Sequence, residues 1–261
     1  MGEVKPNEEE ESNAFLQLAE CELKVDAIEK DVAQYRLDKM KSVYQERDGL
    51  VNKIPEFWKI VLSQHTDFAN YIRASDFTYV DCIQDVKVEW DNVDEFKIII
   101  KFDGIKDDFE AQTVTKQFKR QKIIDDTKSK EDSDSDDDDD ELEKLISEPV
   151  DIKWPKKYED ICPESIQDKK SPEGKKKYRQ GMKSLFGWFR WTGLKPGKEF
   201  PHGDSFAELI VDDLYPYCVK YYTEAHRDLE DENDDSDSES EGELDLSDDE
   251  GNENEPKRRK L

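Results

Sequence analysis

The sequence has few of the residues that build a membrane span, a metal centre or an active site. Hydrophobic residues make up only 34% of the 261 positions, and no run approaches the ~18 consecutive apolar residues of a membrane-spanning helix. The three histidines and four cysteines lie far apart, without the spacing of a zinc site or a catalytic triad. No phosphate-binding loop, dinucleotide-binding turn or serine-hydrolase motif occurs. These absences predict a protein that is not an enzyme and uses neither a metal ion nor a cofactor.

Acidic residues, by contrast, are abundant and unevenly distributed. The formal net charge is −27, and residues 131–143 hold 10 acidic residues while residues 228–255 hold 16, with no basic residue in either segment. The rest of the chain has 41 acidic and 40 basic residues, so it is nearly neutral and can fold. Blocks of like charge repel each other. We therefore expect disorder near residues 128–144 and from residue 230 to residue 261.

The first 12 residues are expected to be flexible, and they lack the apolar stretch of a secretory signal. Residues 13–54 then show apolar positions every three or four residues, which predicts a helix of roughly 60 Å. The apolar seam is narrow and has charged flanks, as in helices that pair with another helix. Packing within its own domain is the alternative, but the chain holds no second such stretch, so a second copy is the expected partner. The predicted dimerisation residues are Leu18, Val25, Ile28, Val32, Tyr35, Val43, Leu50 and Ile54.

Alternating apolar and polar residues predict strands at 79–90, 95–102 and 111–122, and a fourth strand at 149–154 after the acidic excursion. Helical patterns follow at 174–182 and from about 204 to 229. This order predicts an α+β fold, in which a long helix precedes a globular domain of residues 55–229 with a four-stranded antiparallel sheet and C-terminal helices. Four aromatic residues between the helices are expected in the core, with base stacking as the alternative: Phe186, Trp188, Phe189 and Trp191.

Two basic segments stand out against this acidic background. Residues 169–183 form the strongest positive patch, which either contacts an acidic partner or nucleic acid or is simply a solvated helix face. The second segment, residues 256–261, resembles a nuclear localisation signal and predicts a nuclear protein that binds an import receptor. The signal residues are Lys257, Arg258, Arg259 and Lys260.

A long acidic tail favours a basic partner. Exposed ion pairs contribute only about 0–1 kcal/mol each, but many carboxylates together compete with DNA phosphates for lysine and arginine. Such binding depends strongly on salt and has little sequence specificity. Nuclear targeting and a dimeric body then point to a histone or another basic nuclear protein. The net charge argues against sequence-specific nucleic acid binding by the chain itself.

The sequence resembles the nucleosome assembly protein (NAP/SET) family of histone chaperones. The resemblance covers residues 13–229 and is carried by FWKIVLSQHTDFANYIRASDF (57–77) and SPEGKKKYRQGMKSLFGWFRWTGLKPGKEFPHGDSFAELI (171–210), together with the heptad helix and the acidic tail. It implies a homodimer in which two long helices pair antiparallel and each carries a globular earmuff domain.

The resemblance also implies partners and sites. Core histones, with the tetramer-forming pair prominent, are expected on an acidic underside and on the tails, and the chaperone is expected to present them to a fungal histone acetyltransferase and stimulate it. A non-catalytic activating subunit, with chaperoning secondary, is the alternative. The implied acetyltransferase-docking residues are Lys175, Lys176, Lys177 and Arg179. By position, the expected histone-binding residues are Glu199, Asp204, Glu208, Asp212, Asp213, Glu224, Asp228 and Glu230.

Overall fold

A computed structural model describes residues 8–124 and 141–237, with side chains described within 11–122 and 143–227. One long helix leads into a domain of short helices, a four-stranded sheet and further helices. The helices before the sheet are α1 (Glu8–Val51), α2 (Phe57–Gln64), α3 (Thr66–Tyr71) and α4 (Phe77–Val80). The strands are β1 (Ile83–Trp90), β2 (Glu95–Phe102), β3 (Gln112–Ile124) and β4 (Glu141–Ser147). The later helices are α5 (Pro172–Met182), α6 (Leu185–Trp188), α7 (Gly203–Glu208) and α8 (Cys218–Asp237).

Helix α1 is longer at its start and shorter at its end than the sequence pattern predicted. It begins at Glu8 rather than at residue 13, and its 44 residues span about 66 Å. It ends at Val51 because Pro55 disfavours a helical conformation at Ile54, so Ile54 lies beyond the helix. All residues from 11 to 32 are exposed, and only the C-terminal part of α1 packs on the domain.

The sheet is an antiparallel meander in the order β1-β2-β3-β4, which confirms the predicted α+β class. Every second residue of β2 is buried, from Phe96 to Phe102, because successive side chains point to opposite faces of a strand. The register places Ile98 between Val88 on β1 and Lys116 on β3.

The predicted fourth strand at 149–154 is wrong. Strand β4 runs from Glu141 to Ser147 and pairs with residues 118–124 of β3. Its first residues were expected to be disordered because residues 141 and 143 are acidic, yet this stretch continues the ladder and buries Leu145. Pro149 has no N–H group to donate to a ladder, which explains why the strand stops. Residues 125–140, the rest of the acidic excursion, lie outside the described residues.

The core lies between the sheet and the helices and is rich in aromatic side chains. Phe118 on β3 packs on Phe96 at 5.2 Å and on Trp188 at 5.7 Å between ring centroids. Phe186 and Trp188 are fully buried, and Phe189 and Trp191 nearly so. The core assignment of these four residues is confirmed, and base stacking by them is excluded.

The final helical region is interrupted where one helix was expected. Helix α7 continues into a π-helical turn (Leu209–Leu214), in which Tyr215 N–H donates to the carbonyl of Ile210 at 2.9 Å. Pro216 follows and cannot donate a helical hydrogen bond, so the chain turns before α8 begins at Cys218. Helix α8 then continues to Asp237, past residue 230 where the disordered tail was expected to begin.

Candidate interaction surfaces

The apolar stripe on α1 is open in the single chain. At about 100° per residue, the seven predicted dimerisation residues within α1 fall within about 100° of the helix circumference. Their exposure in the single chain ranges from 47% for Val25 to 65% for Tyr35, and Ile54 after the helix is 38% exposed. A stripe of this length and exposure is typical of a helix that pairs with another helix.

A different face of α1 packs on the domain. Arg47 donates to the carbonyl of Tyr215 at 2.7 Å, and its guanidinium lies over the rings of Tyr44 and Tyr215. Asp48 accepts a hydrogen bond from the Tyr215 hydroxyl at 2.8 Å. Burial and this carboxylate raise the pKa of Tyr215. The contacts within the chain therefore leave the apolar stripe free.

Four predicted histone-binding residues form an acidic ridge, defined as Asp204, Glu208, Asp212 and Asp213, along α7 and the π-helical turn. The first three are four residues apart and share a helix face. Arg120 of β3 lies at 3.0 Å from Glu208 and 3.8 Å from Asp212. The side chains of Glu208 and Asp212 nevertheless remain 42% and 65% exposed, so both carboxylates stay accessible to solvent. Partial burial raises the pKa of Asp212, and the charge of Arg120 opposes this shift.

Asp213 is half-buried and held in place. The Tyr221 hydroxyl donates to one carboxylate oxygen at 2.7 Å, and His65 Nε2 lies 3.1 Å from the other. Phe68 N–H donates to His65 Nδ1 at 3.2 Å, so Nε2 carries the hydrogen that points to Asp213. This network ties α8 to the corner between α2 and α3 and orients Asp213 on the ridge.

Sequence reasoning missed Asp67, which extends the acidic surface. Burial and the hydrogen bond to Asp213 raise the pKa of Tyr221, and the charges of Glu224 and Asp67 raise it further. Asp67 is exposed in the first turn of α3. It lies far from the other acids along the chain, and nothing in its local sequence marks it. Glu224 is half-buried and 3.9 Å from Lys220. Asp228 and Glu230 lie on α8, with side chains outside those described.

Glu199, which was also predicted to bind histones, does not lie on the ridge. Its carboxylate turns inward and accepts from the Thr192 backbone N–H, from Thr192 Oγ1 at 2.6 Å and from Gly193 N–H at 3.0 Å. Both carboxylate oxygens of Glu199 therefore accept hydrogen bonds from donors of the same loop. Glu199 therefore closes the loop before α7, and we leave it out of the histone-binding surface.

The charge of Glu199 also acts on a buried cation, Lys116. The Lys116 side chain is fully buried, and its Nζ donates to the carbonyl oxygens of Glu148, Phe189 and Trp191 at 2.9, 3.1 and 2.8 Å. Burial lowers its pKa to about 7, and the nearby carboxylate of Glu199 opposes this shift. The three carbonyl groups match the three donors of an ammonium group, and they join β3 to the aromatic segment after α6.

The predicted acetyltransferase-docking residues lie on α5, and three of the four face outward. Lys175, Lys176 and Arg179 are exposed, whereas Lys177 forms an ion pair with Glu173 at 3.2 Å. A Cβ atom at Gly181 would lie only 1.9 Å from the carbonyl oxygen of residue 161, so this side of α5 packs directly on backbone. The opposite, basic face is thereby turned toward solvent.

The predicted nuclear localisation residues 257–260 lie outside the described residues. Within the described ranges, no helix is long and apolar enough to cross a membrane, and no three histidine, cysteine, aspartate or glutamate residues gather as metal ligands.

Comparison with known proteins gives consistent matches. The family model for nucleosome assembly protein (NAP) matches residues 1–225. Vacuolar protein sorting-associated protein 75 of Saccharomyces cerevisiae is 58% identical over 233 residues, which cover 87% of this chain and 83% of that protein. Protein SET of Drosophila melanogaster is 27% identical over 87% of this chain and 79% of its own length. A crystal structure of Vps75 superimposes with a TM-score of 0.73 at 56% identity, covering 82% of this chain and 99% of that one. A second, described as the Vps75 histone chaperone, gives a TM-score of 0.71 at 55% identity.

Proposed function

The chain belongs to the nucleosome assembly protein family, and we propose that it is a dimeric, nuclear, non-catalytic histone chaperone. The observation that carries this proposal is the acidic ridge, whose carboxylates are fixed by the π-helical turn and by Arg120, His65 and Tyr221 while remaining open to solvent. A surface of this kind presents ordered negative charge to a lysine- and arginine-rich protein.

The ridge and the acidic tail have different tasks in this proposal. Fixed carboxylates orient one face of a histone, because their positions are set by the fold. Residues 228–255 add 16 acidic residues without a basic one and cover the DNA-binding surface of the same histone. Each exposed pair is weak, at about 0–1 kcal/mol, so affinity comes from their number and falls as salt is added. We expect the tetramer-forming histone pair to be the main cargo.

Dimerisation through α1 completes the proposed chaperone. The exposed apolar stripe supports it, because the domain contacts of α1 use another face. Two antiparallel copies cover the stripe along its length and place one domain at each end of the paired helices.

The basic face of α5 supports a further role in histone acetylation. Lys175, Lys176 and Arg179 point away from the domain, and charge complementarity fits them to an acidic surface of a fungal histone acetyltransferase. In this proposal the chaperone binds the enzyme through α5 and stimulates it by presenting the histone. Residues 257–260 are the proposed signal for an import receptor, which brings the protein to the nucleus.

The ridge is tested by combining Asp204→Asn, Glu208→Gln and Asp212→Asn. At up to about 1 kcal/mol per contact, core histones should bind up to about 100-fold more weakly, and the salt dependence of the dissociation constant should become less steep. Glu22→Gln with Glu29→Gln removes charge from a part of α1 that lies away from the domain and serves as the control. A chain truncated after Asp228 tests the tail by the same titration. Unchanged affinity and salt dependence in both the ridge variant and the truncation would contradict the proposal.

The acetyltransferase role has a separate test. Charge reversal at Lys175, Lys176 and Arg179 should reduce stimulation of the enzyme and leave histone affinity unchanged. Charge reversal at Lys101 and Lys106, which are exposed near the end of β2, is the matched control. Loss of histone binding without loss of stimulation would contradict this assignment of α5. Stimulation that survives the ridge variant, with histone binding lost, would favour the activating subunit as the main role.

A further inference from the structure

A groove of about 560 Å³ separates α1 from the free edge of the sheet. On the helix side it is lined from Gln34 to Asn52, about 27 Å at 1.5 Å per residue, and on the sheet side from Lys87 to Asp91. Lys41, near the middle, lies about 180° around the helix from Val32 of the apolar stripe. Pairing of two α1 helices through the stripe therefore leaves the groove open.

The sheet side of the groove is an unpaired strand edge. Strand β1 is the outermost strand, and Asp91 N–H donates to the carbonyl of Glu95 at 2.9 Å. In an antiparallel pair the hydrogen-bonding direction alternates along the strand, so the N–H and C=O groups of Val88 and Trp90 point away from β2. Within the described residues, none of these outward groups has a hydrogen-bond partner. A row of free backbone donors and acceptors is a template for another strand.

The charges around this strand edge favour a strand with basic side chains. Four acidic residues line the groove against two lysines. Lys87 pairs with Asp85 at 3.2 Å, Asp48 with Arg47 at 3.0 Å and Asp91 with Lys97 at 3.0 Å. Asp38, Glu89 and Lys41 stay outside these ion pairs, so the lining keeps a net negative charge. The acidic members are Asp38, Asp48, Glu89 and Asp91. At one end Trp90 stacks on Tyr44 at 5.7 Å, which ties β1 to α1.

We infer that this groove binds an extended, lysine- and arginine-rich peptide segment, which pairs with β1 as a fifth strand. Main-chain hydrogen bonds to Val88 and Trp90 supply affinity, and the acidic lining selects basic side chains. A bound segment of about five residues covers Lys87 to Asp91 at about 3.4 Å per residue. The inference rests on the proposed function in one respect, because the basic segment belongs to the basic protein partners that the proposed chaperone binds. It adds a contact that depends on main-chain hydrogen bonds and not only on charge.

Gly49 provides a direct test because it lines the groove and a Cβ atom added there meets nothing within 4 Å. Gly49→Trp should fill the groove from the helix side without disturbing the core. Gly49→Ala leaves the groove open and is the matched control. The probe is a fluorescein-labelled twelve-residue peptide of alternating lysine and valine, titrated into the full-length protein and followed by anisotropy. We expect Gly49→Trp to weaken peptide binding at least about tenfold and Gly49→Ala to leave it unchanged.

A second probe separates strand pairing from simple charge attraction. The same peptide with every backbone nitrogen methylated keeps its charges but has no N–H donors, and it should bind the wild-type protein at least about tenfold more weakly. Equal binding of the methylated peptide, or unchanged affinity in Gly49→Trp, would overturn the inference while leaving histone binding by the ridge intact. Failure of the wild type to bind core histones, with groove-dependent peptide binding retained, would overturn the proposed function instead.

Discussion

Aspartate at Ile28 and Val32 should dissociate the proposed dimer. Both residues lie on the apolar stripe and are 61% and 62% exposed in the single chain. Lys30 between them pairs with Asp94 of the domain at 2.7 Å, but from another face of the helix. Ile28→Asp with Val32→Asp therefore tests the interface without disturbing the packing of the domain.

The size of the effect follows from these exposures. Full burial of a valine or isoleucine side chain stabilises by about 1.5–3 kcal/mol, so the exposed 61% and 62% of these two residues are each worth about 1–2 kcal/mol. Because each interface holds both residues from both copies, the double substitution removes about 4–8 kcal/mol of association free energy, or about a thousandfold or more in the dissociation constant. Burying four carboxylates adds to the loss.

Sedimentation equilibrium over a range of protein concentrations measures this constant directly. We expect the wild type to sediment as a dimer and the double variant as a monomer at micromolar concentration, with circular dichroism confirming that both are folded. Gln45→Asp with Asn52→Asp adds two charges on the groove side of the chain and should leave the dimer intact. A double variant that dimerises as tightly as the wild type would refute our assignment of the interface.

Two further predictions concern the domain that carries the ridge. Burial lowers the pKa of Lys116 to about 7. Between pH 7 and about 10 the side chain is therefore neutral in the native state but still protonated in the unfolded chain. The difference in unfolding free energy between wild type and Lys116→Met should therefore change in favour of the wild type as pH rises, by up to about 1.4 kcal/mol per pH unit. Urea denaturation at several pH values measures this difference, and a value that stays constant with pH would contradict the lowered pKa of Lys116. Gly181→Ala should lower stability by a few kcal/mol because its Cβ would overlap the carbonyl of residue 161. Gly49→Ala, as the control, should raise stability by about 1 kcal/mol. Equal melting temperatures for the two variants would refute the close packing of α5 on the backbone of residue 161.

Periodicity predicted the parts of the fold in which each element repeats a simple pattern. The alternation in β2 and the spacing of three and four in α1 reflect one buried face each, and such patterns are visible without tertiary information. Strand β4 was missed because its acidic residues resemble the excursion before it, and only the ladder with β3 makes that segment a strand. The π-helical turn was missed for a related reason, since the helix around it has ordinary local composition and only Pro216 hinted at an interruption.

The candidate site was predictable in position but not in the role of each residue. Asp204, Glu208 and Asp212 have helical spacing, so their common face follows from the sequence. Glu199 has the same chemistry, yet its hydrogen bonds to Thr192 and Gly193 depend on a loop closed by tertiary contacts. Asp67 lies close enough to Tyr221, more than 150 residues later in the chain, to raise its pKa. A single sequence carries no signal for such a pairing.

The free part of α1 has a consequence for the size of the cargo. The first described contact of α1 with the domain is the ion pair of Lys30 with Asp94 at 2.7 Å, so residues 11–29 extend about 28 Å beyond it. In the proposed antiparallel pair, the length of this free part sets the distance between the two acidic ridges. Removing seven residues would bring the domains about 10 Å closer per helix while rotating the stripe by only about 20°. In the proposed chaperone, a histone assembly that bridges both ridges is then selected by its width as well as by its charge.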